Sequence, residues 1–312
     1  MRMDQIALAV LPFLMICGIC VAETPVLDAQ AAIEKLFETR DKLVSGRCSI
    51  AGVTDAKKGT RRHMAGEERL ELVFDDRIPA YWIEEGLERA FLITPEFQYH
   101  ATHSRSDVSR FPLGFNLSGR GGLLPFRPQS LGFYANPGRR QDVSDPTYDE
   151  LKEWFQKAEI LESEMQEDLH RIKVKLPRRH EWDRDITMQL WLNPKQDYTT
   201  VRTEELYPDR AGYEFRSDML WEKVNDVWVI AYFRQFQGFR EKFTWKLSWT
   251  DVNQPIDESE FVVERIPNPG REASLFAERS LEGGESGSLR PIISNLPQPE
   301  GEPDWDSVLP QE

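Results

Sequence analysis

Few residues of this chain are of types that do chemistry, and their spacing narrows what each can do. His100 and His103 stand in the order His-Ala-Thr-His. A zinc site needs three or four ligands, and catalytic helices place two histidines at i and i+4 around a glutamate. The i, i+3 spacing beside an expected strand instead sends the two rings to opposite faces. Asp183 and Asp185, close to His180 and Glu181, form a carboxylate cluster between two strands, which reads as a charged hairpin loop. Gly119-Arg120-Gly121-Gly122 has no Lys-Ser/Thr after it and is not a phosphate cradle, and Gly284-Glu285-Ser286-Gly287 lacks the spacing of a nucleophile elbow. Asn116-Leu117-Ser118 matches a glycosylation acceptor, which has meaning only in a eukaryotic secretory route. The residues therefore give no catalytic set, no metal site and no cofactor site, and the expectation is a protein that is not an enzyme.

The start of the chain has Arg2, an apolar stretch from Ile6 to Val21 broken by Pro12 and Gly18, and small Ala22 before Glu23. That is the layout of a secretion signal over residues 1–22, shorter than the ~20 apolar residues of a spanning helix. The expected location is periplasmic or secreted, with no stable membrane span once the signal is cleaved. Cleavage leaves Cys48 as the single cysteine, so stability must come from a hydrophobic core. Cys48 itself reads as a small buried residue. The formal charge of -14 at pH 7 repels phosphate backbones, which excludes nucleic acid as a natural partner.

The elements that would position any site come from hydrophobic period. Ala29, Ala32, Ile33, Leu36, Phe37, Leu43 and Val44 mark one face of a helix, with Asp28 as cap and Ser45-Gly46 as stop. A second, two-turn helix follows Asp145-Pro146 and carries Leu151, Trp154 and Phe155. Elsewhere the period is two, as in Leu70, Leu72 and Phe74; Ile172, Val174 and Leu176; Ile186, Met188, Leu190 and Leu192; and Phe243, Trp245, Leu247 and Trp249. Short turns such as Asn193-Pro194, Pro208-Asp209, Asn225-Asp226 and Gly238 connect them into an antiparallel meander over about 158–251. Val227–Tyr232 is apolar on both faces and reads as a central strand.

Two segments depart from the pattern. Residues 101–143 carry six arginines against Asp107 and Asp142 and interleave Phe111, Phe115, Phe126 and Phe133, which fits a functional loop or a packed insertion whose aromatics complete the core. Residues 271–312 hold nine acids against three bases, the composition of a mostly disordered tail. Within it, Trp305 reads as a solvated aromatic in preference to a partner-binding anchor. The domain proper is then 23–270.

A sheet of about nine strands is ~40 Å wide at ~4.8 Å per strand, and two helices side by side cover about 20 Å of it. The loop, a ligand or a partner must cover the rest.

Leu190-Trp191-Leu192-Asn193-Pro194-Lys195 followed by Val201-Arg202, the hairpin from Trp221-Glu222-Lys223 to Val227-Trp228-Val229, and Asn253-Gln254-Pro255-Ile256-Asp257 leading to Phe261 resemble the periplasmic lipoprotein carriers of the Lol type and outer-membrane lipoprotein-sorting proteins. The match covers mainly residues 184–266, and the N-terminal half agrees in layout alone. The resemblance implies an α+β, β-rich fold: a strongly curved antiparallel meander sheet, or half-barrel, with an N-terminal helix and a short second helix on its concave face. It also implies an apolar cavity for acyl chains. The expected ligand is a lipid or an acylated protein, in a cleft lined by Leu72, Phe74, Ile186, Met188, Leu190, Phe243, Trp245 and Leu247. Arg110, Phe111, Phe115, Arg120, Phe126 and Arg127 would form the lid and meet the head group. The alternative is a secreted interaction protein whose cleft is self-filled and whose acidic tail binds a protein partner.

Overall fold

The computed structural model describes residues 27–54, 66–78, 80–85, 89–102, 108–112, 127–133, 148–178, 186–206 and 212–263, together with Trp305 and Leu309. The leader expected at residues 1–22 lies outside them, as do His103, the cluster around Asp183 and most of 271–312.

Helix α1 (Ala29–Asp41) starts where the Asp28 carboxylate accepts the Ala31 N–H at 2.8 Å, the cap anticipated from sequence. It buries Ala32, Ile33, Leu36 and Phe37 on one face. It stops before Leu43, which turns away to join the sheet's core. Helix α2 (Tyr148–Gln156) buries Tyr148, Leu151, Trp154 and Phe155, and Phe37 packs against Phe155 with ring centroids 5.6 Å apart.

The strands are β1 (Ser45–Thr54), β2 (Gly66–Asp75), β3 (Ala80–Glu85), β4 (Arg89–Ile93), β5 (Phe97–Thr102) and β6 (Ser109–Pro112). After α2 come β7 (Glu159–Gln166), β8 (Leu169–Leu176), β9 (Ile186–Asn193), β10 (Thr199–Leu206), β11 (Tyr213–Val224), β12 (Val227–Gln237) and β13 (Arg240–Thr250). They form one antiparallel sheet in the order β6-β5-β4-β3-β2-β1-β13-β12-β11-β10-β9-β8-β7. Two sequential meanders are thus joined along β1 and β13, with Cys48 opposite Trp249 and Ile50 opposite Leu247. The sheet is open, with β6 and β7 as its edges, and the fold is the β-rich α+β half-barrel with helices on one face.

The sequence reading of about nine strands is corrected to thirteen among the described residues. Residues 109–112, expected inside a long loop, form edge strand β6. Strand β12 lies between β11 and β13, the central place that its two apolar faces called for. Asn225 and Asp226 both take left-handed backbone (φ 49° and 62°), the type I′ geometry that matches the twist of a two-residue hairpin. Edge strand β7 exposes Leu161 and Met165 but sets Glu159, Glu162 and Glu164 among them, which discourages edge-to-edge pairing.

The end of β2 is tied down by Asp75, which accepts from Arg77 Nε at 2.8 Å and Nη2 at 2.6 Å and from the Ile256 N–H at 3.4 Å. Burial alone pulls this carboxyl up, but the hydrogen bonds from Arg77 and Ile256 outweigh it and hold it below its ordinary 3.8. A depressed folded value means stabilisation that is complete above the unfolded value and lost as pH falls through the folded one. Asp75→Asn is therefore expected to lower the urea midpoint near neutral pH, with the gap to wild type closing below pH 3.8. An equal gap at about pH 7 and about pH 2.5 would rule out the ionised pair as its cause.

Candidate ligand-binding cleft

On α1, Ile33, Leu36, Phe37 and Arg40 fall at i, i+3, i+4 and i+7, so Arg40 belongs to the face that points into the molecule. It is 2% exposed. Its Nη1 donates to the backbone oxygens of Gln129 (2.7 Å) and Leu131 (2.8 Å), and its Nη2 donates to Thr200 Oγ1 (2.7 Å). The guanidinium carbon lies 4.1 Å from the ring centre of Phe133 and 5.0 Å from that of Trp221. Burial pushes the group down to about 9, which still leaves it charged at neutral pH. A cation is thus held by carbonyls, a hydroxyl and ring faces.

Gln129 and Leu131, whose carbonyls Arg40 holds, belong to a strap, 127–133, which crosses the helix-bearing face. Arg127 pairs with Asp76 at 2.9 Å. Gln129 Nε2 donates to Leu43 O and to Asp76 Oδ2, both at 2.8 Å. Leu131 enters the core cluster of β1, β2, β12 and β13, and Phe133 stacks on Phe37 with centroids 5.3 Å apart. Thr203 Oγ1 donates to Gly132 O. Gly132 has φ +88°, and a Cβ there would run into Met219, so only glycine fits this crossing. This part of 101–143 is a packed insertion, one of the two readings left open by its sequence.

Beside the strap a cleft remains, walled by Trp221 of β11, Trp228 and Ile230 of β12 and Trp249 of β13, with Leu43, Pro128, Gln129 and Arg40 closing it. Its cavity volume is about 10 Å³, room for about one water molecule. Each indole N–H is used elsewhere: Trp221 Nε1 donates to Thr200 O (2.6 Å), Trp228 Nε1 to Asp197 Oδ2 (3.1 Å) and Trp249 Nε1 to Ile230 O (2.8 Å). What the tryptophans offer to the cleft is ring surface. Arg40 Nε and Gln129 Oε1 are buried with no hydrogen-bond partner among the described residues. Because Gln129 Nε2 already serves two acceptors, its amide orientation is fixed and Oε1 is the free acceptor.

The residues expected to line a cleft fall into two buried clusters. Leu72, Phe74, Trp245 and Leu247 pack together with Leu43 and Leu131. Ile186, Met188 and Leu190 pack against α1 and α2. None of these seven lines the open cleft. Phe243 pairs with Gln235 in the ladder, and its side chain is outside the described set. Of the expected lid, Arg110 is exposed on β6 with its guanidinium 4.2 Å from the Phe97 ring centre, Phe111 packs half-buried on the core, and Arg127 anchors the strap. Phe115, Arg120 and Phe126 lie outside the described residues. Sequence reasoning missed Arg40, Gln129 and the tryptophan wall; the signal available was a charge recurring on the apolar period of α1.

Trp305, expected to be solvated, is instead 6% exposed. His100 is buried on β5 and stacked on Phe91 at 4.5 Å. Cys48 is fully buried, and desolvation with the nearby Glu71 charge pushes its thiol up, which makes it a poor nucleophile. Among the described residues no group of three or more His, Cys, Asp or Glu could hold a metal ion, and no helix is long and apolar enough to cross a membrane.

No protein-family profile matches the chain, and no curated protein matches it. Solved structures do. A LolA superfamily protein from Nitrosomonas europaea is similar at 14% identity and TM-score 0.46, covering 77% of this chain and 99% of its own. A DUF1329 family protein from Desulfovibrio piger is similar at 9% identity and TM-score 0.47, covering 75% and 97%. A domain from Vibrio parahaemolyticus named for outer membrane lipoprotein sorting is similar at 13% identity and TM-score 0.45, covering 75% and 97%.

Proposed function

We propose that the protein is an exported, non-catalytic binding protein for an amphiphile, a lipid or the acyl group of an acylated protein, taken up at the tryptophan-walled cleft under the 127–133 strap. One observation carries this reading: three indole faces with their N–H groups tied away line a cleft together with Arg40 and Gln129, residues that each keep one buried polar atom, Nε and Oε1, without a partner among the described residues. An apolar wall closed by two polar side chains suits a molecule with a hydrocarbon part and a small polar head. With a cavity volume of about 10 Å³, far below the roughly 300–1,000 Å³ of ordinary ligand pockets, the cleft admits an acyl chain only as the strap lifts. Each CH₂ leaving water contributes ~0.8 kcal/mol, so even six carbons in contact give useful affinity.

The test is native mass spectrometry of protein purified from its own host, together with titration of a fluorescent fatty acid. Uptake is expected, and Trp221→Ala and Trp249→Ala are each expected to weaken it by about tenfold, the loss of about 1.4 kcal/mol of ring contact. No co-purifying amphiphile and no uptake would sink the proposal.

The rival, an interaction protein with a self-filled concave face, draws support from the dense packing of α1, α2 and the strap over most of that face. Deleting residues 271–312 separates the two. Loss of a pulled-down partner with fatty-acid uptake unchanged at zero favours the rival, and uptake at wild-type level favours the carrier.

A further inference from the structure

The face of the sheet opposite the helices carries a row of side chains aligned by register across five strands: Arg171 on β8, Trp191 on β9, Arg202 on β10, Asp218 on β11 and Arg234 on β12. Asp218 is fully buried, with Arg202 Nε 2.8 Å away, Arg234 Nη2 at 3.2 Å and Arg216 Nε at 3.5 Å. Glu204 faces Arg216 across the ladder, and Lys246 faces Tyr232, with its Nζ 5.9 Å from that ring. Against this face lies Trp305, from a segment far along the chain. Its ring sits 4.4 Å under the Arg234 guanidinium and meets Tyr232 edge-on at 6.5 Å. The Leu309 N–H donates to Trp305 O at 3.0 Å, and Leu309 is buried as well.

We infer that the surface around Tyr232, Arg234 and Lys246 is a receptor for the chain's own acidic C-terminal segment, a tethered and salt-releasable strap with Trp305 as its plug. Charge complementarity supports the fit. Asp304 and Asp306 flank Trp305 in a segment with nine acids and three bases, while two cations bracket Tyr232 on the sheet. A guanidinium over an indole gains further from partial desolvation, which Trp305 supplies by its own burial. Tethering sets an effective concentration on the order of millimolar, so an external acidic peptide of the same kind must exceed that to displace the tail. The surface thereby selects for acidic, tryptophan-bearing segments and is covered until one competes or ionic strength rises.

Hydrogen exchange on the full chain tests this. Amides of 305–312 are expected to exchange at least about tenfold more slowly than in a free synthetic peptide of residues 300–312, with the difference shrinking between about 50 mM and about 500 mM salt. Trp305→Ala and Arg234→Glu should each restore the free-peptide rate. Arg234→Lys should keep part of the protection, since charge survives but stacking does not. Trp305 belongs to neither large core cluster, so its variant must leave exchange in β8 to β13 at the wild-type rate. The free peptide should bind the Trp305→Ala chain and not the wild type at about 0.1 mM, well below the effective concentration. Free-peptide exchange in the wild type, or protection that survives both Trp305→Ala and Arg234→Glu, overturns the inference.

Discussion

Arg40→Ala is expected to cost about 3–5 kcal/mol of stability and to release the 127–133 strap from the sheet. The size follows from what the substitution leaves behind. Two backbone oxygens, of Gln129 and Leu131, and the Thr200 hydroxyl lose charge-assisted partners inside the molecule. An acceptor stranded in a buried site costs about 1–3 kcal/mol. The space vacated between the Phe133 and Trp221 rings adds a cavity term. Replacing a buried cation with an apolar residue of similar size is sometimes harmless, but that holds where its partners go as well, and here the partners are main chain. Arg40→Lys should rescue little, because one ammonium cannot span two carbonyls and a hydroxyl in the plane of a guanidinium. Urea unfolding gives the stability change, and protease cutting near Arg127 reports the strap. A loss under about 1 kcal/mol would show that the strap is held by its leucine and phenylalanine contacts instead.

The parts of this fold that were legible in the sequence are those with one wet and one dry face. α1 and α2 announce themselves at the helical period, with Asp28 where a cap should be, and β8 and β13 alternate. β4 does not, because its consecutive residues Ala90, Phe91 and Leu92 are all buried, which erases the period-two signal. That accounts for part of the shortfall of nine against thirteen strands. The short edge strand β6 hid for another reason: its Arg and Pro read as loop, though both suit an edge where half the hydrogen bonds face outward.

The site was less legible still. Arg40 in a helix reads as solvent-facing by type, and what draws it inward is a pair of carbonyls about ninety residues away in the chain. Gln129 has no motif around it. Trp305 looks idle when read locally, since Arg234 and Tyr232, which bury it, sit on a strand that reads as ordinary core. In each case the contact is long-range, and local period carries no record of it.

Asp218→Asn is expected to be as costly as the loss of Arg40, at about 3–5 kcal/mol, for the opposite electrostatic reason. The amide keeps the shape but removes the buried charge that Arg202, Arg216 and Arg234 share, so three guanidinium groups stay crowded around a neutral group. Cost of that origin has a signature. Removing one of the crowded cations in the same molecule should recover stability, so Asp218→Asn with Arg202→Met should be more stable than the sum of the single effects by more than about 1 kcal/mol. Simple lost packing would give additivity. The variant also bears on the tail, because Arg234 divides its interactions between Asp218 and the Trp305 ring. With Asp218 neutral, the full charge of Arg234 is turned toward the acidic segment. Protection of 305–312 from hydrogen exchange should then persist in Asp218→Asn under conditions where the sheet remains folded, even as the sheet's own unfolding midpoint drops. Additive energetics together with tail protection lost in step with the sheet would place the role of Asp218 in packing and leave the charge argument without support.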